Sequence, residues 1–138
     1  MIPQAGHWAD AYVGRPAMGR RPCWRLVRQV WANHLGFVMP SFDEQDSDEQ
    51  AVALGAATFR AVPVGEEREF DAVMMMVPMR DRTVGPRGCR SVETHIGVVA
   101  ARGLVLHVEQ GRTARVDALK GLQVSRLLRG PWEMGGAT

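Results

Sequence analysis

Between Pro22 and Leu35 the apolar residues recur at the spacing of an α-helix. Leu26, Val27, Val30 and Trp31 stand three, four, seven and eight positions after Cys23. Cys23 therefore heads one apolar stripe, and Arg25, Arg28 and Gln29 lie off it. Pro22 suits a first helical position, Gly36 the residue just past the end, and Pro40 forbids continuation. Upstream, "HWADAYVG" predicts a short helix closed by Gly14, followed by a loop "RPAMGRR". Downstream, the acidic block with Asp43, Glu44, Asp46, Asp48 and Glu49 leads through "EQAVALGAATFRA" into a second helix, capped by Ser41 or Asp43.

After Pro63 the pattern changes to strands. The predicted strands are "DAVMMMV" (71–77), "ETHIGVVA" (93–100), "LVLHVEQ" (104–110), "ARVD" (114–117) and "QVSRLL" (123–128). A turn at Ala101-Arg102-Gly103 joins the second and third, and "RDRTVGPRGCRS" reads as an exposed loop. The run "VMMMVPM" reads as core strand rather than as an exposed interface. Helices followed by about five short strands define an α+β class, with N-terminal helices packed on a roughly five-stranded antiparallel sheet.

Length and charge narrow the picture. A chain of 138 residues holds one domain, 1–138, and one sizeable core. A net charge of +2 gives no argument for nucleic acid. No stretch reaches the roughly 18 apolar residues of a membrane span, and "MIPQAGHWADAY" lacks a signal-peptide pattern. The expectation is synthesis in the cytoplasm without a secretion signal. The two cysteines, Cys23 and Cys89, can form at most one disulfide, and in a chain without a signal the expectation is that they stay reduced.

The candidate chemistry centres on Cys23. A cysteine attacks as the thiolate, and an unperturbed thiol has a pKa of about 8.5. A helix N-terminus favours the anion through its unsatisfied N–H groups and its dipole, and Arg20 and Arg21 stand beside it. A thiol nucleophile also needs a base, and the base an orienting group. His95 and His107 lie 12 residues apart on the two strands of one hairpin. With an odd-numbered turn they share a face; with a two-residue turn they lie on opposite faces. Glycine at the end of Ala101-Arg102-Gly103 favours the odd count. The bland alternatives are a small core cysteine and structural strand histidines. A metal site from Cys23, His95, His107 and Cys89 lacks every close Cys-x-x-Cys or His-x-x-x-His spacing, so no metal or cofactor is expected.

These residues resemble the NlpC/P60 family of papain-like cysteine peptidases, in particular the short forms of phage tail modules. "AYVGRP…GRRPCWRLVRQVW…LGFVMPSF" is similar to the family's nucleophile segment, "FDAVMMM" to its Gly-Asp-led strand, and "THIGVVAARGLVLHVEQG" to the segment with the base and the third residue. The resemblance implies a papain-like NlpC/P60 domain with Cys23 as nucleophile, His95 as general base and His107 as orienting residue. It implies cleavage of a peptidoglycan stem peptide through a thioester, with Arg20, Arg21 and Tyr12 near the substrate and no metal or cofactor. Peptidoglycan and other phage tail or tail-tip proteins are the implied partners, and the virion tail the implied location.

The chain departs from the family pattern at four positions. Pro22 precedes the cysteine where Asp or Asn is usual, Arg25 replaces a small residue, Ala17 replaces an aromatic, and Phe70 replaces the glycine of the Gly-Asp start. Two functions follow: a virion-associated cysteine endopeptidase, or a catalytically weak or inactive component of the tail tip that keeps the fold.

Overall fold

The helix that the apolar stripe predicts forms over Pro22–Leu35 (α1), with Gly36 at φ +63° behind it. The computed structural model describes residues 7–18, 22–38, 59–80, 89–109 and 111–132, with the backbone alone for 77–80 and 89–94. Cys23, Leu26, Val27, Val30 and Trp31 are buried as the stripe predicts, and Pro22 and Trp24 widen it. Each fully buried Val, Leu or Ile side chain of this kind contributes about 1.5–3 kcal/mol, so packing, not propensity, holds this 14-residue helix.

The predicted short helix at "HWADAYVG" is a single 3-10 turn, Trp8–Ala11, with Gly14 at φ +89°. The predicted second helix lies almost wholly in residues 39–58, outside the described part. Its last two residues are a correction: Arg60 and Ala61 belong to a strand, Arg60–Val62 (β1), because Arg60 pairs with Arg129 and Ala61 with Leu128.

The remaining strands are Ala72–Arg80 (β2), Cys89–Ala101 (β3), Leu104–His107 (β4), Arg115–Ala118 (β5) and Val124–Arg129 (β6). All five predicted strands are present, and β1 makes the sheet six-stranded and antiparallel, in the order β1-β6-β2-β3-β4-β5. The loop expected over 80–91 is shorter. Its ends belong to the β2–β3 hairpin, where Arg80 faces Cys89, since two long paired strands extend their ladder as far as backbone partners allow.

Among the described residues one α-helix, α1, lies on one face of this sheet. Beneath it are Ala72, Met74, Ile96, Val98, Leu106 and Leu128. The alternate residues Val73, Met75, Val99, Val105 and Leu127 form a second apolar cluster on the other face, with Val62 and Leu119. Met74 and Met75 are thus both core residues, one on each face, as a strand's two-residue period requires.

Two features set the orientation of α1. At its C-terminal end the Trp31 indole donates to the Phe70 carbonyl at 2.9 Å and its ring meets Phe37, Phe59 and Trp132 at centroid distances of 5.1–6.0 Å. That end is therefore tied to Phe70, two residues before β2, and to Trp132 after β6. The helix is roughly 21 Å long, so Cys23 lies over the opposite end of the sheet. Phe70 itself holds φ +79°, a backbone region that costs a non-glycine residue about 1–2 kcal/mol. Its amide donates to the Val99 carbonyl at 2.8 Å and its ring stacks on Trp8 at 4.8 Å, and these contacts offset that cost.

Candidate active site

The turn between β3 and β4 decides whether the two histidines can meet. The hairpin closes on two residues, Arg102 and Gly103, rather than on the expected three. A register shift between Val99 and Ala101 adds one residue to β3, so the count remains odd. Gly103 takes φ +81°, which a turn of this kind needs and which only glycine adopts without strain. In consequence Gly97, not His95, stands opposite His107, and His95 is its diagonal neighbour on the same face.

That close approach depends on Gly97. A Cβ there would lie 2.7 Å from Val105 Cγ1, 3.0 Å from the Leu106 carbonyl oxygen and 3.1 Å from His107 Cβ. With only hydrogen at that position, the two imidazoles come together edge to face. Their centroids are 5.1 Å apart, and His95 Nε2 is 2.8 Å from His107 Nδ1.

The pair is part of a longer chain of hydrogen bonds that no sequence motif announced. His107 Nε2 reaches Asp117 Oδ2 at 2.7 Å. Arg115 donates through Nε to the same oxygen at 2.7 Å and through a terminal nitrogen to Glu109 Oε1 at 3.0 Å. The missed signal was parity. Arg115 faces His107 in the β4–β5 register and Asp117 is two residues on, so both project on the histidines' face.

Burial and charge tune these groups. His107 is 1% exposed. Burial first, and then the neighbouring His107, lower the pKa of His95 from 6.5 to about 4, which leaves it a neutral base at physiological pH. Burial pushes the Asp117 carboxyl up, but the hydrogen bonds from His107 and Arg115 outweigh it and hold Asp117 below the usual carboxylate range. For Glu109, too, burial works upward and Arg115 prevails, so its pKa is lowered. Arg115 is raised by its bond to Asp117.

The shift on His95 predicts how stability depends on pH. Its folded pKa lies below the unfolded one, so between pH 6.5 and about 4 the unfolded chain binds the extra proton. Stability is then greatest above pH 6.5 and falls toward pH 4, by up to about 3 kcal/mol. Asp117 and Glu109 lose their contribution only at more acid pH, because their pKa values are lowered. Urea unfolding of the protein and of His95→Gln at pH 7 and pH 4.5 checks this: the wild-type midpoint falls, and the difference shrinks in the variant.

Cys23 is the second residue of α1 and 8% exposed. The first turn of the helix carries no acidic residue, so nothing there opposes the helix dipole. Pro22 and Leu26 border a cleft of about 310 Å³ with Arg15, Arg25, Val108 and Ala114. Val108 follows His107 directly, which brings the head of α1 to the end of the sheet that carries the histidines. The faces differ, however. Cys23 belongs to the core under α1 with Ile96 and Val108, whereas His95 pairs with Met75 of the opposite cluster. The structure thus joins His95 to His107 and places Cys23 on the other face of β3.

The other residues singled out from the sequence fall apart from this centre. Arg20 and Arg21 lie outside the described residues. Tyr12 is buried, its hydroxyl 3.0 Å from Asn33 Nδ2 and 3.0 Å from His34 Nε2. Asn33 is ten residues along α1 from Cys23, about 15 Å, so Tyr12 secures the far end of the helix. Among the described residues no group of three or more His, Cys, Asp or Glu is placed to hold a metal ion, and no helix is long and apolar enough to cross a membrane. No family model matches the chain, and no curated protein or solved structure matches it either.

Proposed function

We propose that this protein is a cysteine peptidase of the NlpC/P60 type acting on peptidoglycan stem peptides. Cys23 is its nucleophile, His95 its general base and His107 the residue that orients the base. The observation that carries this reading is the 2.8 Å bond between His95 and the buried His107, which holds a partly exposed neutral imidazole at the end of the sheet where α1 begins. Phe70 adds support: at the position where the resemblance calls for glycine, the backbone keeps the φ +79° that glycine prefers.

The reaction begins from a thiol and a neutral imidazole, since His95 binds a proton only near pH 4. As the sulfur attacks the peptide carbonyl carbon, its proton passes to His95. The resulting imidazolium protonates the leaving amine, which gives a thioester. His95 then takes a proton from water, and the water oxygen displaces the thiolate, releasing the carboxylic acid. A register shift between Met75 and Met76 falls beside His95. Bulges are where strands bend and re-aim side chains, and the thiol, on the other face of β3, reaches this imidazole through a further turn of the strand there. Attachment to a phage tail and to its tail-tip proteins rests on the resemblance alone.

One observation favours a second reading. Cys23 and His95 lie on opposite faces of β3, as suits an inactive tail-tip module that keeps the fold. Incubating purified stem peptides with the protein, Cys23→Ala and His95→Ala separates the two. The peptidase reading expects new amino termini from the wild type, none from Cys23→Ala, and a loss on the order of 10²-fold or more for His95→Ala. Absence of cleavage by the wild type leaves the module; cleavage that survives Cys23→Ala overturns the assignment of Cys23 as nucleophile.

A further inference from the structure

We infer that Asp117 is a positioning residue that sets the direction of hydrogen bonding through both histidines and so leaves Nδ1 of His95 as the acceptor. An ionised carboxylate only accepts. Facing Asp117 Oδ2 at 2.7 Å, His107 must therefore carry its proton on Nε2. A neutral imidazole has one N–H, so Nδ1 of His107 is an acceptor. The group 2.8 Å from it, Nε2 of His95, must then be the donor. His95, a neutral base at physiological pH, then has its lone pair on Nδ1, which no group takes up among the described residues.

Arg115 makes the direction one-way. Its Nε–H shares the same Asp117 oxygen at 2.7 Å, and a guanidinium has no lone pair to offer. An oxygen, never an N–H, must occupy that point between Arg115 and His107. Glu109 holds the other side of the guanidinium at 3.0 Å and keeps it in place. The N–H groups of His95 Nε2, His107 Nε2 and Arg115 Nε are thus all donated in the direction of Asp117, while the terminal nitrogen of Arg115 donates to Glu109. The same geometry supplies a function: a proton arriving on Nδ1 of His95 makes an imidazolium whose Nε2–H is already donated. The catalytic use of Nδ1 rests on the peptidase reading; the direction of the bonds does not.

Long-range 1H–15N spectra of the imidazole rings at pH 7.5 test it without reference to activity. The wild type is expected to show protonated Nε2 and unprotonated Nδ1 on both His95 and His107. Asp117→Asn should keep this pattern, because Arg115 draws the amide oxygen to the same point. Asp117→Ala, which admits water that donates as readily as it accepts, should average the nitrogen shifts of His107 and, with them, those of His95. A protonated Nδ1 on either ring of the wild type, or unchanged tautomers in Asp117→Ala, overturns the inference even if stem-peptide cleavage is found. If the Ala variant does not fold, the wild-type tautomers and the Asn variant decide the matter.

Discussion

Replacing Arg129 with methionine is expected to cost about 3–5 kcal/mol of stability. Arg129 on β6 donates from Nε to Asp71 Oδ1 at 2.8 Å and from a terminal nitrogen to Oδ2 at 2.7 Å. The side chains are 6% and 1% exposed. A third donation reaches the Glu66 carbonyl at 3.0 Å, and Asp71 also accepts the Arg68 amide at 2.8 Å. The pair therefore closes the segment before β2 onto β6, with Glu67 as a second fastening through the amides of Gly65 and Gly103 at 2.7 and 3.0 Å.

Methionine fills the volume but leaves the Asp71 carboxylate buried without its cation, and that desolvated charge is what costs the energy. Against a total of about 5–15 kcal/mol for a domain, much of the molecule's stability depends on this one pair. Urea unfolding followed by circular dichroism gives the answer, and Asp71→Ala combined with Arg129→Met should be less damaged than the two losses added together. A midpoint for Arg129→Met within error of the wild type would show that water or another group replaces the pair.

The second large effect is expected at Gly97. Alanine there places its Cβ against Val105 Cγ1, the Leu106 carbonyl and His107 Cβ, all within 3.1 Å. A backbone oxygen and a Cβ cannot swing aside as the end of a flexible side chain can, so β3 and β4 must move apart. Overpacking of this kind costs about 1–3 kcal/mol. It also lifts His107 away from His95 and breaks the 2.8 Å bond between them. With His107 withdrawn and water admitted, the pKa of His95 should climb from about 4 back toward 6.5. An NMR titration of the His95 ring follows this directly; a titration unchanged in a folded Gly97→Ala protein would mean that the pairing does not depend on the glycine.

Legibility differed by kind of contact. Helix α1 was readable residue by residue because its signals are local: the stripe from Cys23 to Trp31, proline at its start and Gly36 behind it. The strands at 71–77 and 123–128 were readable by their apolar runs, and the one expected over 104–110 only as far as His107, where β4 ends. Strand β1 was not, since Arg60–Val62 is a strand only because β6 lies beside it. The hairpin shows the same division more finely. Gly103 indicated an odd count, yet the extra residue sits in β3, between Val99 and Ala101, where only the ladder reveals it.

In the candidate site, residue types and order along the chain were enough to single out Cys23, His95 and His107. Asp117, Arg115 and Glu109 were invisible as motif residues, because their role follows from which strand lies next to β4 and which way its side chains point. The sequence by itself determined the α+β class, the bounds of α1, and a buried cysteine at the head of that helix. These depend on periodicity and capping within a few residues, and a chain cannot hide them. Only the tertiary structure decided that the two histidines touch, that an aspartate stands behind them, and that Cys23 and His95 occupy opposite faces of β3. Those facts are set by register, where a shift of one residue turns every side chain to the other side of the sheet.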